Sequence, residues 1–394
     1  MGSALTGRGG VARRSGLSHT RGITGSISMA RQEFSVADIA KALGAEAFGE
    51  TALKIDGVAE PQSAAPTQLA MATNAEYAEK LGQGQAVAAV LWPGADWSAL
   101  GLKAAIIPTR PRYAMSGLTQ LLDPGQGFAP GIHPSAIIDP SAEIGANVAI
   151  GALTVIGPGA VIGANSTIGP QCFIGWNARL GSNAMLREQV SIGARVTIGA
   201  HFHAQPGVRI GGDGFSFVTE DKSGIEAVRE TLGDPQDTQA QGWTRIHSLG
   251  AVTIGDHVDL GACVNIDNGT IRDTRIGDGC KMDNFVHIGH NVIIGKDCLI
   301  CGHSGVAGST VVGDNVVLGG MTGVSDNIFI GDRVITGGGT KVLSSIPAGR
   351  VVLGYPATRM DKQIDIFKAV RRLPRLVMDV AELKKAVFKS GGSD

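Results

Sequence analysis

His287 and His290 stand three residues apart in FVHIGHNVIIG, and His201 and His203 stand two apart in GAHFHAQ. An imidazole can ligate a metal, accept a proton near neutral pH, or decorate a solvated face, and spacing alone does not choose among these. Metal-assisted hydration needs three imidazoles converging on one ion with an open fourth position. In a strand, residues two apart share a face and residues three apart do not. His201 and His203 should therefore point together and His287 and His290 apart, which leaves no three converging and argues against a metal. A general base needs only one exposed imidazole beside a groove that holds the attacking group. The cysteines add little. Cys172, Cys263, Cys280, Cys298 and Cys301 are odd in number, and Cys298 and Cys301 make a formal CxxC inside a strand-like stretch with no second pair at zinc-ribbon spacing. They read as buried, reduced thiols of a cytosolic protein.

The elements that must position these side chains follow a period of six. Isoleucine or leucine stands at 138, 144, 150, 156, 162, 168, 174, 180, 186, 192 and 198, and Gly follows most of them. The phase continues through Ala204 and Ile210, breaks, resumes at Ile254, Leu260 and Ile266, shifts, and then runs from Ile276 to Ile330. Such a repeat predicts a left-handed parallel β-helix of hexapeptides, mainly β, spanning 131–355. Short strands form three flat sides, the aliphatic residue fills the axis, and the small residue beside it lets the chain turn. Three hexads make one coil, and coils stack at about 4.8 Å. The polar, aromatic-bearing segment 211–253 interrupts the period and is expected to project as a functional loop.

Residues 33–130 mix helical stretches (SVADIAKALG, NAEYAEKLG) with strand-like ones (QAVAAVLW, KAAIIP) and read as a small α/β domain with its own core. Residues 356–394 gain helical spacing, and Pro374 is expected to break them into two basic helices. Residues 1–32 contain five arginines and no acid, and read as a disordered or misassigned leader rather than a secretory signal. Composition agrees with a solenoid: Gly at 58 of 394 is about twice its usual share, and aromatics are only 5%. A net charge of −1 gives no reason to expect nucleic acid as a partner. No run of 18 apolar residues exists to span a membrane.

In chain order, a small domain with NAEY, hexads, a GGDGFSF loop, the run GACVNIDNGTIRDTRIGDGCKMDNFVHIGHNVIIG and a helical tail resemble the UDP-3-O-(3-hydroxyacyl)glucosamine N-acyltransferases of lipid A biosynthesis, over about residues 35–385. The resemblance implies an acyltransferase moving a 3-hydroxyacyl group from acyl carrier protein to the 2-amine of a UDP-linked 3-O-acylglucosamine. It further implies a cytoplasmic homotrimer with no cofactor. The family's catalytic base falls on His290, its activity-linked acid on Asp283 in KMDNF, and its second histidine on Asn327, an amide that can donate a hydrogen bond but cannot carry a proton. His287 lies outside the pattern and reads as a surface residue. The uridine-binding motif falls on Met71, Asn74 and Tyr77, Met71 replacing an aromatic. Asp213 and Phe215 of the GGDGFSF loop complete the implied substrate contacts. Without the resemblance, Asn74 and Tyr77 read as a helix cap and a core aromatic, and Asp283 as a corner residue. Two other functions remain open: the sister O-acyltransferase acting on UDP-N-acetylglucosamine, which lacks the domain before the prism, and a non-enzymatic scaffold.

Overall fold

The computed structural model describes residues 33–224, 226, 228, 240–354 and 357–389. The leader, 1–32, lies outside them. The chain divides into two compact units, one ending at Gly127 and one starting at Phe128.

In the first unit a five-stranded sheet has the order Glu46–Gly49, Ala104–Ile107, Ala88–Val90, Gln68–Met71, Gly57–Ala59. Its first pair is antiparallel and the rest are parallel. Alternation splits its side chains between two cores. Leu69, Val90 and Ile106 join Val36 and Ile39 of helix Val36–Ala42 and Leu118 of helix Pro111–Leu122. Ala70, Ala89 and Ala105 join Leu91 and Leu102 on the other side. The first helix is opened by a capping box between Ser35 and Asp38.

The second unit is a parallel solenoid of three sheets with ten, nine and ten strands, most of them two residues long. The first face begins at Ile137–Ile138, the second at Glu143–Ile144 and the third at Ala149–Ile150. Pairing holds an 18-residue register along the early coils, as in Ile150, Ile168, Leu186 and Ala204. Each hexad has a fixed anatomy. After the inward aliphatic comes a glycine whose absent side chain admits the next coil: a β-carbon on Gly163 would lie 2.4 Å from the Gly181 carbonyl carbon. Two residues later the backbone turns left-handed, at Asn147, Asn165 and Asn183 but also at Leu153 and Phe285. The corner is thus turned there, and the glycine serves close approach. A second inward side chain follows, such as Val148, Ala160 or Val190. A left-handed residue other than glycine costs about 1–2 kcal/mol, whereas each buried aliphatic contributes about 1.5–3 kcal/mol, so burial carries the strained corners.

That anatomy sorts the cysteines. Cys172, Cys280 and Cys298 take the second inward place and are buried, and burial pushes the Cys172 thiol up to about 11. Cys263 sits at a left-handed corner and Cys301 in a glycine place, and both are only half-buried, so the expectation of uniformly buried thiols holds for three of the five. The C-terminal segment also differs from expectation. Met360–Lys389 is one helix that continues through Pro374.

Candidate active site

His290 occupies the corner between the first and second faces, directly after strand His287–Ile288. Two glycines bracket it. A β-carbon on Gly214, from the 211–253 insertion, would lie 2.6 Å from the His290 Cβ, and one on Gly308, a coil further on, would lie 2.7 Å from Nε2. Its Nδ1 stands 3.0 Å from the Asn291 Oδ1, an oxygen that also accepts the Thr270 N–H at 2.9 Å. Because that oxygen can only accept, Nδ1 carries the hydrogen and Nε2 keeps its lone pair. Thr270 can reach because the interval from Ile266 to Ile276 is ten residues, which enlarges the corner next to Asn291. This shift of phase was visible in the sequence, but its use was not.

His287 and His290 line one cavity of about 500 Å³. The strand argument that sent them to opposite faces fails because the chain turns a corner between them. His287 is exposed, as expected of a surface residue, and its Nε2 lies 3.7 Å from Asp267, whose side chain is only 16% exposed. Burial raises the Asp267 carboxyl above the usual aspartate range, against the pull of His287 and His290. A second cavity, of about 480 Å³, shares Phe215, Asp267 and His287 with the first. The two differ in character. The first runs along the first face over Gly305 and Gly323 to Lys341 and Leu343. The second is walled by Asp213, Arg245 and Asn265, with Arg245 4.9 Å over the Phe217 ring and 3.9 Å from Asp213.

Not every expected site residue joins this group. Asp213 and Phe215 do, both from the inserted loop. Asp283 stands at the corner between the third and first faces, outside both cavity linings, where it accepts the Gly302 and Asn284 N–H groups at 2.9 and 2.7 Å. The acid beside the imidazoles is Asp267, at the end of strand Asn265–Asp267, which pairs with His287–Ile288. Asn327 is also outside the linings, bonding its side chain to Asp326. Two coils on from His290 is Asp326, so Asn327 stacks in the column of Asn291 and Ser309, with its N–H on the Gly308 oxygen.

Elsewhere, the His201 and His257 rings stack at 4.6 Å and His203 lies 3.5 Å from Asp259. Among the described residues no three His, Cys, Asp or Glu side chains gather into a metal-holding group. In the first unit, Asn74 caps the short helix Ala75–Ala78 by accepting the Tyr77 N–H at 3.0 Å. Tyr77 is 42% exposed, so it is not a core aromatic, and Lys80 approaches its ring at 5.2 Å. Met71 ends strand Gln68–Met71, half-buried.

Residues 141–175 and 273–308 match the bacterial transferase hexapeptide (six repeats) family, which defines the class as the hexapeptide-repeat proteins. Across almost the whole chain the likeness is closer. It is 68% identical over 92% of its length to the UDP-3-O-acylglucosamine N-acyltransferase of Ruegeria pomeroyi, covering 99% of that protein. It is 64% identical over 90% to the one from Paracoccus denitrificans, covering 97%. A solved LpxA from Acinetobacter baumannii is distant, at 23% identity, 57% and 71% coverage of this chain and that one, and TM-score 0.40. The chain belongs to the UDP-3-O-acylglucosamine N-acyltransferase family.

Proposed function

We propose that the chain transfers a 3-hydroxyacyl group from acyl carrier protein to the 2-amine of UDP-3-O-acylglucosamine, in lipid A biosynthesis. One observation carries this reading: a cavity with charged side chains in its wall and a more apolar one meet at Asp267 and His287, with His290 in the wall of the more apolar one. A sugar-bearing acceptor suits the side with Asp213 and Arg245, and an acyl chain suits the trough over Gly305 and Gly323. The reacting carbonyl then lies beside His290.

The amine nitrogen attacks the thioester carbon while His290 Nε2 takes its proton. The tetrahedral oxyanion is received by the Gly308 N–H, which donates to no acceptor among the described residues. As the C–N bond becomes an amide the C–S bond breaks, and the proton on His290 passes to the leaving thiolate. Asp267 and His287 hold the acceptor side of the junction. In the first unit, the Nδ2 of Asn74 remains for a uracil carbonyl and Tyr77 offers a stacking face. The same reading makes the chain a cytoplasmic homotrimer whose exposed flat faces are covered by its copies. The test incubates purified protein with hydroxyacyl carrier protein and the UDP-amino sugar, reading products by mass. His290→Ala should lower turnover by about two to four orders of magnitude without unfolding the chain. Acylation of UDP-N-acetylglucosamine in place of the amino sugar would overturn the assignment.

A further inference from the structure

The outward ladder of the first face runs Asn265, His287, Gly305, Gly323, Lys341, one residue per coil in register. His287 heads the trough and Lys341 stands at its far end, three coils or about 14 Å away. Between them the floor is glycine. Ser325, the other polar side chain of the lining beyond the histidines, lies two coils from Gly289, about 9.6 Å along the prism. The N–H groups of Gly305 and Ala307 are already donated to Thr322 and Val324 of the next coil. The two ring nitrogens of His287 differ in their surroundings. Nε2 faces the Asp267 carboxyl, while Nδ1 has no hydrogen-bond partner among the described residues.

We propose that His287 selects the acyl donor by hydrogen-bonding the 3-hydroxyl of its acyl group through Nδ1, with Asp267 orienting the ring. The inference rests on the functional reading above and deepens it. When the thioester carbon lies beside His290, the hydroxyl oxygen is three single bonds away, within about 4 Å. Lys341 and Ser325 are then out of reach. The Gly308 N–H receives the oxyanion and His290 Nε2 the amine proton, so neither is free for the hydroxyl. His287 remains. A carboxylate at Asp267 favours the hydrogen on Nε2, which makes Nδ1 an acceptor for the hydroxyl; on a protonated ring the Nδ1–H donates to the hydroxyl oxygen instead. A hydroxyl can play either part. A donor without it leaves Nδ1 facing an alkyl chain, with its hydrogen bond to water lost and nothing in its place.

The test lets two donors compete for the UDP-amino sugar: 3-hydroxyacyl carrier protein and the unsubstituted acyl carrier protein of the same chain length, with both amides read by mass. The full chain is compared with His287→Leu and His287→Gln. Leucine removes the polar atoms at a place where the same ladder carries Phe173, so the fold accepts it. Glutamine keeps both a donor and an acceptor. The parent should prefer the hydroxylated donor by about tenfold or more. His287→Leu should bring the ratio to within about threefold of one, by slowing the hydroxylated donor, and His287→Gln should keep most of the preference. No preference in the parent, an unchanged preference in His287→Leu, or an equal loss in both variants overturns the inference alone. Absence of transfer from either donor by the parent overturns the functional reading and this inference with it.

Discussion

Because the Asp267 carboxyl is raised by burial, folding disfavours its ionised form. The sign follows. Well below the unfolded value, about 3.9 for aspartate, the residue is protonated in both states and has no effect. As pH rises between the unfolded and folded values stability is lost, and the loss is constant above the folded value. Asp267→Asn should therefore raise the melting temperature at neutral pH, with the gain fading as pH falls to about 3. Turnover should drop by about one order of magnitude or more, less than for loss of the base itself. Calorimetry across pH with parallel rates checks this, and a variant less stable than the parent at pH 7 would refute it. His290, the proposed base, stood out in the sequence through IGHNV. Its neighbouring acid did not, because Asp267 meets His287 through the pairing of strands Asn265–Asp267 and His287–Ile288 in successive coils and not through nearness along the chain.

Gly305 and Gly323 stand one residue before the inward valine, where other coils of the first face carry Phe173, Arg209 or His287. Glycine has no architectural task at that place: a β-carbon on Gly305 meets nothing within 4 Å. Its effect is to leave the trough open. Gly305→Leu should keep the fold, changing stability by no more than about 1 kcal/mol, and should close the trough about one coil, 4.8 Å, beyond His287. Competition among donors of graded chain length should then favour the short ones, and an unaltered preference would mean the acyl chain lies elsewhere. At this scale the period of six made the solenoid readable across more than twenty hexads. The same regularity hid the trough, since every glycine could be assigned to the repeat. Pro374 misled in another way, because a proline was weighed as a break while the helix runs through it.

For the whole assembly, the basic positions of the C-terminal helix bear on the acyl donor. The proposed carrier-protein donor, given an acidic surface, would be steered to Arg371, Arg372 and Arg375. Reversing all three to Glu should raise the KM for the carrier-protein donor and leave the KM for the sugar nucleotide unchanged. Added salt should weaken the parent in the same direction, since screening acts over about 8 Å near 0.15 M. An intact trimer with unchanged donor KM would exclude this docking surface.

The register of the coils also limits how the chain can change in length. One residue lost from a strand would turn every later inward aliphatic outward, and the damage would run to the next corner able to absorb it. Tolerated changes should therefore be quantised, as whole turns of the prism or as growth at corners, of which the 211–253 insertion and the widened corner at Thr270 are two examples. Both abut His290. A catalytic centre on such a scaffold is free to vary only where the scaffold can be lengthened without losing count.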